Sequence, residues 1–92
     1  MRDLATLLKK QGRRHEAVPW WQRLVDTAAA VDACEELAKY YEWHDLDLLQ
    51  ATAWTNRGKA LAEAWPPSSE KRTALADLSH RLDRLQRKLN AL

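Results

Sequence analysis

Ninety-two residues suffice for one domain, and a content of 46% hydrophobic and 30% charged residues fits a globular chain instead of a disordered one. No apolar run approaches the ~20 residues of a membrane helix, and Arg2-Asp3 leads into an amphipathic segment instead of the apolar core of a signal peptide. A net charge of +2 does not by itself announce a nucleic-acid binder, and a single cysteine, Cys34, excludes an internal disulfide and fits a reducing, cytoplasmic setting.

Apolar residues recur at helical spacing throughout, and the few glycines and prolines fall where helices should start or stop. Leu4, Ala5, Leu7 and Leu8 share a face of a first helix that Gln11-Gly12 ends, because glycine takes the left-handed cap that other residues resist. A second helix is expected from about His15 or Glu16 through Ala17, Trp20, Trp21, Leu24 and Ala28. Pro19 then falls about one turn in, where few backbone donors have helical partners. Asp32-x-x-Glu35 reads as a capping box for a third helix with Leu37, Ala38, Tyr40 and Tyr41 as its apolar face. After the turn His44-Asp45-Leu46-Asp47, Asp47 is the expected N-cap of a fourth helix through Leu48, Ala51, Trp54, Gly58 and Leu61, which Trp65-Pro66-Pro67 closes.

Ser68-Ser69-Glu70 opens a fifth helix with a cap oxygen and a carboxylate favoured by the helix dipole. Its leucines at 75, 78, 82, 85, 89 and 92 form one narrow stripe on an otherwise charged surface. Such a stripe serves as the inner face of a capping helix, giving a monomer, or as a seam between two copies, giving a homodimer. Its length, short for a free-standing coiled coil, favours the cap. No strand-like alternation occurs, so the fold class is all-α.

Two stretches echo each other. Leu4-Ala5-x-x-Leu8 returns as Leu37-Ala38-x-x-Tyr41 after 33 residues, and Ala17-x-x-Trp20 returns as Ala51-x-x-Trp54 after 34. A period near 34 residues with small residues in fixed slots belongs to helix-turn-helix repeats. On these positions, with Gly12 at the first turn and Gly58 in the late small slot, the chain resembles the tetratricopeptide family; Leu24 departs from the late small slot. The second hairpin has one extra residue between Leu37 and Ala51, expected to lengthen the turn between Trp43 and Leu48. The resemblance implies a single helical domain over 1–92, with one repeat at about 1–31, another at about 32–65, and a capping helix at about 69–92. Stacked hairpins of this kind hold another molecule and do no chemistry themselves.

A narrower resemblance rests on Glu36-Leu37-Ala38-Lys39-Tyr40-Tyr41-Glu42 followed by Ala53-Trp54-Thr55. It is similar to the C-terminal repeat module of bacterial RNase H-like exonucleases of the YprB type. That resemblance implies a longer bacterial protein with its nuclease upstream, of which this chain is expected to be a fragment.

Candidate sites follow. His15, His44 and His80 are spread over three elements and Cys34 has no CxxC partner, so no metal, cofactor or catalytic constellation is expected. The groove that the resemblance implies would be lined by exposed positions of the first and third helices: Arg2, Thr6, Lys9, Lys10, Glu35, Lys39, Glu42 and Trp43. There Glu35 and Glu42 would repel a peptide carboxylate, and a mixed-charge protein surface, such as a neighbouring domain in cis or another chain, suits it better. Trp20, Trp21 and Trp54 are expected in the core, with Leu4, Leu8, Ala17, Leu37, Tyr41 and Ala51.

Charge alternates along the chain: Lys/Arg against Asp/Glu is six to three over 1–31, three to seven over 32–65 and six to three over 66–92. Arg81, Arg84, Arg87 and Lys88 on the last helix form a stripe that would contact phosphates, the alternative reading being a nucleic-acid-binding accessory domain. Against it stands a solvated face steadied by Asp77–Arg81 and Asp83–Arg87 pairs. Since Arg84 and Lys88 lie off the leucine stripe, both are expected to be replaceable by Glu without unfolding.

Overall fold

The computed structural model describes residues 2–92, with side chains from Asp3 onward. Its helices are α1 (Arg2–Lys10), α2 (Arg14–Ala28), α3 (Val31–Trp43), α4 (Leu48–Glu63) and α5 (Ser69–Asn90), and no strand occurs among the described residues. Short connections fold each helix back on its predecessor. Each helix packs chiefly on the next in the chain, giving two helix-turn-helix hairpins and a fifth helix on α4. The fold is all-α, and none of the described helices is long and apolar enough to cross a membrane.

The ends of the helices show local chemistry at work. At the end of α1, Gly12 sits at φ 76°, the Arg13 N–H donates to the Leu8 carbonyl (2.8 Å) and the Gly12 N–H to the Lys9 carbonyl (3.1 Å). This Schellman arrangement satisfies carbonyls that the helix itself cannot. The Asp47 carboxylate accepts from the Gln50 N–H at 3.1 Å and the Ser68 hydroxyl from the Lys71 N–H at 3.0 Å, as expected of N-caps. The α3–α4 turn, 44–47, is one residue longer than the α1–α2 turn, 11–13, as the extra residue requires.

Two local expectations are corrected. The N-cap of α3 is Ala30, and Asp32 stands inside the first turn; its carboxylate faces the positive end of the helix dipole without acting as the cap. Helix α2 starts at Arg14, so Pro19 lies beyond the first turn and forgoes one helical hydrogen bond.

The main core gathers Ala5, Leu8, Ala17, Trp21, Leu24, Val25, Ala33, Cys34 and Leu37. Trp20, Tyr41 and Trp54 pack on it half-buried instead of within it, and Arg57 covers Trp54 at 5.4 Å from the ring centroid. Leu4 is 40% exposed, contrary to expectation, because the inner face of α1 is taken by Ala5 and Leu8. A second cluster joins Val31, Ala62 and Leu78, flanked by Leu75 and Trp65 where α4 hands over to α5. Leu78 and Leu85 are buried and Leu82 half-buried, so the middle of the leucine stripe is used inside the chain, whereas Leu92 is exposed.

Gly58 makes this close approach feasible. A Cβ there would stand 2.9 Å from the Cys34 Cβ and 3.4 Å from Leu78 Cδ2. Elsewhere in a helix, Gly→Ala stabilises by about 0.5–1 kcal/mol. Here the new methyl meets the root of a buried side chain, which cannot swing aside. We expect Gly58→Ala to cost about 1–3 kcal/mol by overpacking, read as a lower urea midpoint at unchanged m-value. A midpoint equal to or above the parent's would show that α3 and α4 do not meet there.

Candidate functional site

Near the end of α3, Glu42 follows Ala38 by one helical turn and is carried on the same inner face, leaving it only 2% exposed. An isolated carboxylate in that position would be costly. Helix α5 supplies the compensation from Arg81, Arg84 and Lys88, spaced three and four residues apart and so on one face. Arg81 Nη1 donates to Glu42 Oε1 at 3.0 Å. Arg84 grips both oxygens, Nε to Oε2 at 2.9 Å and Nη2 to Oε1 at 2.7 Å. Lys88 Nζ completes the set on Oε2 at 2.7 Å.

Burial alone pushes the Glu42 carboxyl up. The hydrogen bonds from Arg84 and Lys88, reinforced by their charges, outweigh it and hold the group down at about 2. The Arg84 guanidinium is raised in return, chiefly by its bond to Glu42.

Trp43, the next residue, turns outward and is 55% exposed. Lys88 Nζ lies 3.8 Å and Arg84 Cζ 5.6 Å from its ring centroid, so the cations that hold Glu42 also brace this ring. Beyond it opens a groove of about 880 Å³, walled by Trp43 at the end of α3, Leu46 in the turn, Leu48 and Leu49 at the start of α4, and by Lys88 and Leu89 from α5. Leu46 and Leu49 are 75% and 71% exposed, and Leu92 at the end of the chain adds another bare apolar side chain to the same groove.

The Leu46 backbone is left-handed, φ 54°, which costs a residue of this kind about 1–2 kcal/mol. The bend returns the Asp47 N–H to the Tyr41 carbonyl at 2.7 Å and closes the turn.

The expected groove positions do not converge. Glu42 touches the inner end of the apolar groove but is only 2% exposed, and its carboxylate is engaged by the α5 cations instead of facing a ligand. Lys9 on α1 pairs with Glu36 on α3 at 2.8 Å, and Lys39 with the same Glu36 within α3 at 3.6 Å. Thr6 is half-buried and Lys10 exposed on α1. Glu35 lines a separate depression of about 270 Å³ with Lys39, Asp77, His80 and Arg81, its carboxyl raised by burial foremost and by Asp77. Among the expected positions Trp43 alone reaches the apolar groove with an exposed side chain; the Arg2 side chain lies outside the described residues.

The basic stripe is likewise divided. Arg81, Arg84 and Lys88 converge on Glu42 instead of standing as a solvated face, and Arg81 takes Glu42 in place of Asp77. Arg87 remains exposed outside the cluster. Replacing Arg84 and Lys88 by Glu would therefore set like charges on a buried carboxylate, and the expectation that such changes leave the fold intact is withdrawn. Among the described residues no three His, Cys, Asp or Glu side chains gather as a metal site. Burial raises the Cys34 thiol to about 11.

Sequence reasoning missed Leu46, Leu49 and Leu89 as site residues. The available signal was the crowding of Leu46, Leu48 and Leu49 into a segment read only as a turn and a helix start.

Because the folded Glu42 carboxyl sits near 2, below the usual ~4.3, its contribution is fully present above about pH 4.3 and is lost as pH falls through 2. The difference corresponds to about 3 kcal/mol. We expect Glu42→Gln to cost about 3–5 kcal/mol at pH 7, since three cations lose their shared counter-charge, and to abolish the loss of stability between pH 4 and 2 that Glu42 supplies. Urea titrations at neutral and acid pH measure both. Native-like stability in the variant would show that the cluster does not hold α5. No protein-family model matches the chain, and neither a curated protein nor a solved structure matches it.

Proposed function

We propose that this chain is a non-catalytic protein-interaction module of tetratricopeptide type, acting in the bacterial cytoplasm within a longer protein and holding a neighbouring domain or another chain. The observation that carries this reading is the apolar groove at the α3–α4 turn, where Trp43, Leu46 and Leu49 are each more than half exposed. Large apolar side chains grouped on one concave surface are what a protein partner removes from water. The helical repeat echo supports the same reading. The nucleic-acid alternative is less well supported, because three of the four cations are gathered round Glu42, whose charge offsets one of them, and Arg87 alone stands outside that cluster, so they do not form an extended solvated stripe.

The test is site-specific photocrosslinking in cells, with a benzophenone side chain in place of Leu49 or, as control, of the exposed Thr27 on α2. Protein adducts are expected at position 49 and not at 27. The captured partner, once purified, should bind the native chain and bind Leu49→Ser at least about tenfold more weakly. Equal labelling at both positions, or none at 49, would sink the proposal.

A further inference from the structure

The two edges of the groove carry opposite charge. On the α5 edge, three cations share one carboxylate, a surplus of two positive charges by simple difference. The surplus reaches solvent, because the Arg84 and Lys88 side chains are 38% and 34% exposed. On the turn edge stand Asp45 and Asp47. The Asp47 carboxylate is occupied by the Gln50 N–H at the start of α4, whereas Asp45 is exposed and its backbone N–H alone is engaged, on the Tyr40 carbonyl. Between the edges lies a floor of leucines.

Leu46 adds an independent observation. A left-handed φ of 54° is a place for glycine or asparagine, yet it holds a branched apolar side chain that is 75% exposed and packs little within the fold. Strain kept at a position whose side chain does little for the core points to use of that side chain elsewhere.

We infer that the groove receives a short amphipathic segment of a partner protein, seated in one direction: large apolar side chains on the leucine floor, a carboxylate at Lys88 and Arg84, and a cation at Asp45. The inference rests on the reading of this groove as a docking surface and adds the chemistry and polarity of its occupant. A helix meets the requirement naturally, since acidic residues favour its first turn and basic residues its last. Laid with its N-terminal end toward α5, it satisfies both edges at once; reversed, it sets like charges together at both. A second copy of this chain fits less well. The middle of the α5 leucine stripe is committed internally, with Leu78 and Leu85 buried and Leu82 half-buried, and leaves no seam for a second copy.

The experiment is selection from a random peptide library of about 12–16 residues, three to four helical turns, on the native chain and separately on Asp45→Lys. Enriched peptides on the native chain should carry at least two large apolar residues, Asp or Glu toward one end and Lys or Arg toward the other. On Asp45→Lys the basic end should give way to an acidic one. Native-selected peptides should weaken as salt rises and bind Leu46→Gly at least about tenfold less tightly, while the melting temperature of that variant equals or exceeds the parent's because the backbone strain is relieved.

Enriched peptides without paired charges, or a pattern unmoved by Asp45→Lys, would overturn the inference and leave the docking reading intact. A selection that yields no binder while adducts still form at position 49 has the same meaning. Peptides whose affinity is indifferent to both Leu46→Gly and Leu49→Ser would overturn the groove itself as the site. Dimerisation of the native chain in sedimentation, abolished by Leu46→Gly, would assign the groove to a second copy instead.

Discussion

The position of α5 depends on one carboxylate. The apolar contact between α4 and α5 is built from leucines repeating at intervals of three and four, and such a stripe matches itself after a slide of seven residues, Leu85 giving way to Leu78 and Leu89 to Leu82. Hydrophobic burial therefore leaves the lengthwise register under-determined. The ion cluster does not. The same slide would replace Arg81, Arg84 and Lys88 opposite Glu42 by Ala74, Asp77 and Arg81, setting a carboxylate against a carboxylate. In the other direction, Arg84 would be replaced by Ala91 and Lys88 by no residue of the described helix. A buried ion pair adds little net stability over an apolar replacement of similar volume. Its contribution here is selection among registers that the leucines treat alike.

Other ion pairs differ in kind. Arg57–Asp26 joins α4 to α2 at 3.0 Å, but both side chains are about half exposed or more, and such a pair contributes at most about 1 kcal/mol. Lys9–Glu36, at 31% and 18% exposure, is intermediate and ties the terminal helix α1 to α3. The gradient follows solvent access, and it makes α3 the element on which both ends of the chain are electrostatically fastened. The alternation of basic, acidic and basic segments along the sequence is thus realised in space, with acidic groups of α3 between cations of α1 and α5.

The fold was legible because its determinants are local. Gly12, Asp47 and Ser68 act through backbone groups a few residues away, and the leucine stripe is a periodicity within one segment. The small slots at Ala17, Ala51 and Gly58 could be found because the sequence echoes itself. The ion cluster was not legible, since its partners lie 39, 42 and 46 residues apart. Within α5, Asp77 and Asp83 offered nearer partners at the spacing that one helix rewards, and sequence reasoning had no means of knowing that α3 presents a competing carboxylate out of water. Reading Glu42 as exposed followed from the same cause: a lone charged residue on a helix is assigned outward unless its counter-charges are in view. The groove was half legible. Trp43 was named among the exposed groove positions, whereas Leu46 and Leu49 were absorbed into a turn and a helix start, and the left-handed geometry of Leu46 is revealed only by the folded backbone.

The cluster and the groove are parts of one arrangement. Lys88 bonds Glu42 on one side and lies over the Trp43 ring on the other, so the wall of the groove is held from within by the group that fixes the register of α5. The opposite wall is held by the backbone, through the Asp47 N–H on the Tyr41 carbonyl that the left-handed Leu46 makes feasible. Affinity at a small apolar site is limited less by area than by the entropy of ordering its side chains, about 0.5–1.5 kcal/mol for each one immobilised on binding. Trp43 is already placed by Lys88 and Arg84, so under the proposed docking an incoming segment would not meet that cost in full for its ring. Loosening Glu42 would therefore reach the groove in two steps, first by freeing α5 to shift against α3, then by releasing Lys88 from the face of Trp43.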